Sequence, residues 1–369
     1  MTKKQSKIIK GTAILCMIFH HLFYRIERFD QYGFTGVIGN SKLTNSIAYD
    51  MKVCVALFVF VSGYGMLAGL RSYMEKNESL NASYFERSAV RQYLNLIKDT
   101  IFLLCILIPV SVLLKLPKLP DNVWGESTGS IIAGCLTNAL GIATAFRLSW
   151  FINSWWYLFI AVLFIILFPA IYFIYRRCGA VFVLFISIIL IPYVLNLDMS
   201  NDTFWRYLPA FLIGMIAADK RLFEKCKEWI DSGIKGRKIV SALILLALLA
   251  LLVFVKHHTS GYNYVIHALQ ALVVSSAIVF LPQDIPFFSR CMEVLGDNSK
   301  YMWLIHVWIY GQLFNGMLFE LKNIWLIFAS LVVISLIISI VLKFICDRII
   351  GFFIKAFGEK DAPLDRVKA

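Results

Sequence analysis

Residues 8–24 read IIKGTAILCMIFHHLFY, an apolar stretch of the length that crosses a membrane as a helix, although it contains a lysine and two adjacent histidines. Ionisable side chains within such a helix are costly and usually face a bundle interior or a water-filled cavity. Lys10 and His21 are eleven residues apart, so they lie on one helix face about 16 Å apart. His20 points about 100° away from that face. The stretch therefore predicts a helix with a cation near one end and an imidazole near the other.

The composition of the whole chain indicates the same environment. Of the 369 residues, 59% are hydrophobic and 16% charged, whereas soluble domains contain roughly 45–50% apolar and 25% charged residues. The net charge of +13 comes largely from Lys and Arg in short segments beside apolar runs, so nucleic acid is not an expected partner. The eight cysteines show no CxxC pair and no Cys/His ligand spacing. We therefore expect neither a metal site nor a disulfide framework.

The apolar runs predict an all-α, polytopic integral membrane protein with about ten transmembrane helices in one bundle. The predicted spans are 8–26, 47–70, 95–114, 151–174, 180–196, 204–218, 239–255, 264–281, 300–319 and 323–350. In this prediction residues 1–355 form one transmembrane domain, and residues 356–369 form a cytoplasmic tail. The lipid bilayer is thus an expected partner.

The distribution of basic residues predicts the orientation of the spans. If the additional apolar stretch 130–146 does not cross the membrane, 26 of the 36 Lys and Arg residues fall on the cytoplasmic side, together with both termini. If that stretch crossed, the strongly basic segment 220–238 would face outward. We therefore predict that 130–146 is an outer or re-entrant helix.

Histidines are the strongest candidates for chemistry within the predicted spans. His21 suits a general base, because a histidine with a reference pKa of about 6.5 accepts a proton from a hydroxyl near neutral pH. Its neighbour His20 is a further candidate, and so is His306, about two turns inside a late span. The alternatives are hydrogen bonding to neighbouring helices and, for His21, a place along a transport path.

Hydroxyl and basic side chains supply the remaining candidates. Ser62 and Tyr64 can polarise a carbonyl group, although hydrogen bonding between helices is the simpler explanation of both. The cations near membrane ends are candidate ligands for a phosphate-bearing cofactor, and the alternative is the ordinary positive-inside bias. These cations are Lys10, Lys52, Arg87 and Arg91.

Several stretches together resemble the membrane acyltransferase type 3 family of bacterial O-acyltransferases. KGTAILCMIFHHLF resembles the first-helix signature, with Lys10 at the position of an arginine and His21 at the position of the histidine. FVFVSGYGMLAG resembles the Ser-Gly-Tyr segment of the second helix. Three later segments follow in the family's order, namely SWWYLFIAVLFIILFP, LPAFLIGM and LGDNSKYMWLIH. The likeness covers nearly the whole chain.

The resemblance implies acetyl-CoA or another acyl-CoA as co-substrate on the cytoplasmic side of a bacterial plasma membrane. It implies a hydroxyl acceptor on a surface glycan or lipid-linked sugar, and His21 as general base or as an acylated nucleophile. This sequence departs from the family's pattern at two positions, and both differences bear on how the cofactor and His21 are oriented. Lysine replaces the arginine, and Ala56 stands where many members carry an acidic residue.

Two other classes of function stay open at this point. One is a transporter of a lipid-linked sugar, although no internal repeat and few acidic residues within spans support it. The other is a non-catalytic relative that acts as a scaffold or sensor. Lys10 in place of the arginine and Ala56 in place of the acidic residue are the features that favour this second class. Binding of acyl-CoA distinguishes the enzyme from both.

Overall fold

A computed structural model describes most of the chain. The described residues are 1–77, 80, 82–116, 124–125, 127–199, 201, 203–231, 236–259, 261–280 and 286–357, with side chains described as far as residue 352. The predicted cytoplasmic tail lies outside these residues from position 358 onward. The boundary of the predicted domain at residue 355 therefore stays a prediction.

Helices make up the described part of the chain. They are α1 (Lys3–Phe23), α2 (Glu27–Tyr32), α3 (Ser41–Asp50), α4 (Val53–Met74), α5 (Ala82–Leu113), α6 (Thr128–Ala139), α7 (Trp156–Phe185), α8 (Ile191–Val194), α9 (Phe204–Asp219), α10 (Leu222–Asp231), α11 (Arg237–His258), α12 (Asn263–Phe280), α13 (Pro286–Trp308) and α14 (Ile324–Phe357). Short 3-10 or π segments flank several of them. The predicted all-α class of membrane protein is confirmed.

The predicted number of about ten spans is not confirmed. Among the described residues, six helical stretches are long and apolar enough to cross a membrane. They are Ser41–Met74, Ala82–Leu113, Asn153–Val194, Arg237–His258, Asn263–Phe280 and Ile324–Phe352. The third of these contains two predicted spans, one on each side of Gly179, whose φ of 84° interrupts the helix and favours glycine.

Three predicted spans correspond to helices outside this set of six. Helix α1 carries lysines and two histidines that lower its hydropathy, α9 has only 16 residues, and α13 contains several charged side chains. Each of the three nevertheless buries many of its residues within the protein. Their polar groups are therefore sheltered by neighbouring helices, as expected for ionisable residues at membrane depth.

The stretch 130–146 is also outside the set of six, and its failure to cross the membrane stays a prediction. Helix α6 has 12 residues, about 18 Å of helix, which is shorter than the roughly 30 Å of a bilayer's hydrocarbon core. The hydroxyl of Tyr93 donates to the carbonyl oxygen of Leu140 at 3.1 Å, just beyond the end of α6.

Glycines bring two helix pairs into backbone contact. A Cβ atom on Gly11 of α1 would overlap the carbonyl of Met292 in α13, and one on Gly296 of α13 would overlap the carbonyl of Lys7. Helices α4 and α9 meet in the same reciprocal way through Gly63 and Gly214. These small residues explain how the helices pack without bulky side chains between them.

Helices α1 and α13 run in the same direction, and this fixes the geometry of the interior. Lys7 Nζ pairs with Asp297 Oδ2 at 2.9 Å near the start of α1, while His21 meets His306 near the ends of both helices. We call these two regions the Lys10 end and the His21 end. Because both helices rise about 1.5 Å per residue, candidate residues on α1 and α13 stay level with each other along the bundle.

Candidate active site

The imidazoles of His21 and His306 lie against each other at the His21 end. Their ring centroids are 5.1 Å apart with an angle of 50° between the planes. His306 is fully buried, whereas His21 keeps part of its surface accessible. The backbone of α1 is held here by Arg28, which donates to the carbonyl oxygens of His21 and Leu22. The structure thus brings together two of the predicted catalytic residues.

The hydrogen bonds of His306 define which of its nitrogens carries a proton. Nδ1 lies 3.0 Å from the carbonyl oxygen of Met302 and 2.8 Å from that of Trp303. Carbonyl oxygens only accept hydrogen bonds, so Nδ1 is the protonated nitrogen. In the neutral ring Nε2 is then an acceptor, and it is buried without a hydrogen-bond partner among the described residues. This buried lone pair is available to a neighbouring N–H group.

A cavity of about 330 Å³ lies between the histidine pair and the Lys10 end. It is lined by side chains from α1, α4, α5, α7 and α13, among them Lys10, Met17, Ser62, Tyr157 and Trp303. Met17 precedes His21 by one helical turn, and Trp303 precedes His306 by about one turn. The cavity therefore runs from Lys10 to within one turn of the two histidines.

A wider opening adjoins this cavity at the Lys10 end. We call it the vestibule; its volume is about 540 Å³, and its lining includes Lys3, Lys7, Lys10, Tyr64 and Lys300. Lys10, Ser299 and Lys300 line both spaces, so they stand where the vestibule meets the cavity. Four lysines and one carboxylate, that of Asp297, are among the fourteen lining residues, so this entrance carries a net positive charge.

A second basic surface borders the same cavity along α5. Arg87 and Arg91 line a groove of about 1,060 Å³ together with Asn95, which also lines the cavity. Arg87 is held against its own helix by hydrogen bonds to the carbonyl and hydroxyl oxygens of Ser83. The structure therefore places both predicted arginines near the mouth where Lys10 lies.

The two predicted hydroxyl residues belong to the Lys10 end. Ser62 lines the cavity and donates to the carbonyl oxygen of Phe58 at 2.9 Å. Tyr64 faces the vestibule, where its hydroxyl lies 3.3 Å from Glu224 of α10. Burial favours a raised pKa for Glu224, but hydrogen bonds from the Met1 ammonium and other donors outweigh it and lower that pKa below its ordinary value. The structure does not bring Tyr64 to the histidines.

Two other predicted site residues lie on different surfaces. His20 is turned toward α3, where its Nδ1 lies 2.7 Å from the carbonyl oxygen of Ala48. Lys52 lines a pocket at the His21 end together with Tyr24 and Arg206. It is therefore separated from Lys10 by most of the length of α1, and the predicted cofactor cations do not form one group.

Sequence interpretation missed Lys300, which adjoins Lys10 at the junction of vestibule and cavity. Its ammonium donates to the carbonyl oxygen of Asn95 at 2.6 Å and pairs closely with the carboxylate of Asp99. The hydroxyl of Tyr301 donates to the same carboxylate at 2.8 Å. The sequence does contain a signal for this residue: Lys300 is a cation at the first position of the span predicted over 300–319, three residues after Asp297.

The described residues contain no group of three or more His, Cys, Asp or Glu side chains arranged to hold a metal ion. The site combines two contacting imidazoles, a cavity that begins about one turn away from them, and an entrance lined by lysines. Together with the membrane-length helices, this arrangement defines a multi-pass membrane protein with a pair of imidazoles near a cavity that has a cationic mouth.

The comparison with protein families agrees with this class. The family described as "Acyltransferase domain" matches residues 5–344, nearly the whole chain. The chain therefore belongs to the acyltransferase type 3 family, as its sequence resemblance predicted. No curated protein and no solved structure matches the chain significantly. The matched region includes every candidate residue described above.

Proposed function

We propose that the protein is an integral membrane O-acyltransferase that transfers an acetyl or other acyl group from acyl-CoA to a hydroxyl of a cell-surface or exported glycan. The observation that carries this proposal is the contacting pair His21–His306, which lies about one helical turn from a cavity that adjoins a lysine-lined vestibule at its other end. Family membership supports acyl transfer in general.

The orientation proposed here places the Lys10 end in the cytoplasm of a bacterium, with both termini on that side of the plasma membrane. The positive-inside bias of the chain supports this choice. Contacts between basic segments support it as well, because Arg71 donates to the carbonyl oxygens of Ala218 and Asp219, joining two segments predicted to be cytoplasmic. Acyl-CoA, a cytoplasmic metabolite, then meets the cationic entrance.

The dimensions of the cavity suit an acyl-CoA donor. Phosphate groups bind at the vestibule, with Lys10 at the junction and Arg87 and Arg91 along the adjoining groove. The distance of about 16 Å from Lys10 to His21 along α1 is comparable to the reach of an extended pantetheine arm. The thioester thereby arrives near His21, beside the side chains of Met17 and Trp303.

His21 acts as the general base in this proposal. It accepts the proton of the acceptor hydroxyl, the oxygen forms a bond to the thioester carbonyl carbon, and the C–S bond then breaks. The departing sulfur takes up the proton from His21, so the products are the ester and the free thiol of CoA. In the variant mechanism a His21 nitrogen attacks first, releases CoA and passes the acyl group to the hydroxyl.

His306 positions His21 in either mechanism. Its Nδ1 proton is committed to two backbone carbonyls, so the neutral ring has no N–H to offer an oxyanion. Its Nε2 can accept the N–H of His21 and so keep the other His21 nitrogen free of a proton. This is the role that a third group plays in orienting the base of other acyl-transfer enzymes.

A polar pocket at the His21 end suits the glycan acceptor. It has a volume of about 640 Å³, and its lining includes Tyr24, Tyr49, Arg206 and Asn263. The Tyr24 ring lies 4.8 Å from the ring of His20, next to His21 in the chain. Aromatic faces with a few polar groups bind a hydroxyl-rich ligand by apolar contact and hydrogen bonds.

Acetyl transfer by purified protein tests the proposal. Wild type, His21→Ala and the control His258→Ala are compared with radiolabelled acetyl-CoA and membrane glycan extract. His258 is an exposed histidine whose Nδ1 contacts only the carbonyl of Phe254 in its own helix. We expect CoA release and labelled glycan with wild type and the control, and neither with His21→Ala.

The same experiment distinguishes the alternatives. Label retained covalently on the wild-type protein favours the acyl-histidine variant. If the wild-type protein neither binds nor cleaves acetyl-CoA, the enzyme proposal is wrong, and flux of a lipid-linked sugar through the membrane becomes the property to measure.

A further inference from the structure

We propose that Lys300 is a second phosphate-binding cation, which together with Lys10 holds the diphosphate of the acyl-CoA donor at the junction of vestibule and cavity. This inference rests on the proposed function and names a residue that neither the family match nor the sequence interpretation assigns. Its starting observation is that the two lysines and Ser299 line both spaces.

The position of the junction determines which part of the donor lies there. In an acyl-CoA molecule the diphosphate joins the nucleotide to the pantetheine arm. With the thioester at His21 and the arm along the cavity, the diphosphate falls at the cavity's entrance, beside Lys10 and Lys300. The wider vestibule, of about 540 Å³, then receives the nucleotide.

The ammonium of Lys300 is held in place by α5 and its own helix. It donates to the carbonyl oxygen of Asn95 at 2.6 Å and pairs with Asp99, whose carboxylate also accepts the Tyr301 hydroxyl at 2.8 Å. An ammonium has three N–H donors, so one remains for a ligand after these two contacts. The side chain keeps 36% of its surface exposed, whereas that of Asp99 keeps 7%.

Lys300 can supply the second phosphate contact that Lys10, as a lysine in place of an arginine, does not make. An arginine presents several N–H groups from one planar fork and can bind a phosphate through two of them, whereas a lysine offers a compact point charge. Two lysines on neighbouring helices, one of them fixed by a buried carboxylate, supply two directions of contact instead. Asp99 is the positioning residue in this account, because it orients Lys300 without facing the ligand.

Donors with and without phosphates test the inference. Steady-state rates are measured with acetyl-CoA and with S-acetyl-N-acetylcysteamine, a short thioester that lacks the diphosphate and the nucleotide. For Lys300→Gln we expect a rise of at least tenfold in KM for acetyl-CoA, with kcat within twofold of wild type. For the short thioester we expect kcat/KM within twofold of wild type.

Two further variants separate ligand binding from a structural role. Lys300→Gln leaves the Asp99 carboxylate buried without its ion pair, which can destabilise the protein. The double variant Asp99→Asn/Lys300→Gln removes both charges and so avoids an unpaired buried carboxylate. We expect the same rise in KM from it. Adding Lys10→Arg to Lys300→Gln should lower the KM for acetyl-CoA at least threefold relative to Lys300→Gln alone, because the arginine fork restores a second contact with the phosphates.

Two results would overturn the inference, and they are distinguishable from failure of the proposed function. One is an unchanged KM for acetyl-CoA in both Lys300 variants with wild-type turnover intact. The other is an equal loss with both donors, which indicates a structural tie between α5 and α13. If wild-type protein binds no CoA in a direct calorimetric titration, the proposed function and this inference are both wrong.

Discussion

The Lys10 end and the His21 end of the same two helices differ in how their ionisable groups are satisfied. At the Lys10 end, cations are matched by carboxylates, with Lys7 2.9 Å from Asp297 and Lys4 3.5 Å from Glu293. At the His21 end the buried Nε2 of His306 has no hydrogen-bond partner among the described residues. The Lys10 end is a vestibule with paired cations, whereas the His21 end holds two contacting imidazoles beside a polar pocket.

In the proposed function, this difference separates donor binding at the Lys10 end from the chemical step at the His21 end. Charge near an aqueous mouth attracts and orients an anionic donor at modest cost, because solvent and counter-charges stabilise it. A proton acceptor works best where water is excluded and its orientation is fixed. Substitutions at the Lys10 end should therefore change KM for acyl-CoA, and substitutions at the His21 end should change kcat.

The largest expected effect is that of removing the base. We expect His21→Ala to lower kcat about 10³-fold, within the range that general acid–base catalysis contributes, while the Kd for CoA stays within twofold of wild type. Initial rates and calorimetric titration with CoA measure the two quantities. A matching loss of CoA affinity would remove the distinction between the two ends.

His306→Phe comes next, because it keeps a ring of similar size in a fully buried site and removes both nitrogens. We expect kcat to fall about 10²-fold through misorientation of His21, with KM for acyl-CoA unchanged. Thermal unfolding of the variant serves as the control for packing. Turnover equal to wild type would mean that His306 only fills space.

Lys10→Gln should act on the donor rather than on the chemical step. Loss of one charge-assisted hydrogen bond to phosphate, worth about 1.5–3 kcal/mol, should raise KM for acyl-CoA about 30-fold. Lys10→Arg should keep KM within threefold of wild type. Rates across a range of acyl-CoA concentrations measure both variants, and a fall in kcat at saturating donor would contradict the separation.

Local periodicity made the stripe from Lys10 to His21 predictable. Helical geometry alone places two residues eleven positions apart on one face, and the structure retains α1 as a single helix over both. The requirement that ionisable groups face an interior was likewise sufficient to select these residues. The rule that a small residue permits close helix approach does not by itself identify the contact, because Gly63 meets the backbone of α9 whereas Gly65 has no neighbour within 4 Å.

The sequence pattern did not predict which distant helices contact each other. His306 faces His21 because α1 and α13 run parallel through Gly11 and Gly296, which no local signal encodes. Tyr64 follows Ser62 by two residues, a rotation of about 200°, so the two hydroxyls face different spaces. The number of spans is not confirmed, because α1, α9 and α13 are too short or too polar to be identified as spans by length and hydropathy alone.

The smallest expected effect concerns Lys52, which the sequence grouped with the donor-binding cations. It precedes α4 at the His21 end, whereas Lys10 lies near the start of α1, a helix of 21 residues and about 31 Å. We expect Lys52→Gln to leave KM for acyl-CoA within twofold of wild type and to raise KM for the glycan acceptor about threefold. The two constants come from separate titrations of donor and acceptor in one radiolabel assay. A tenfold rise in KM for acyl-CoA would place donor phosphates at the His21 end, which would reverse the direction in which the donor enters.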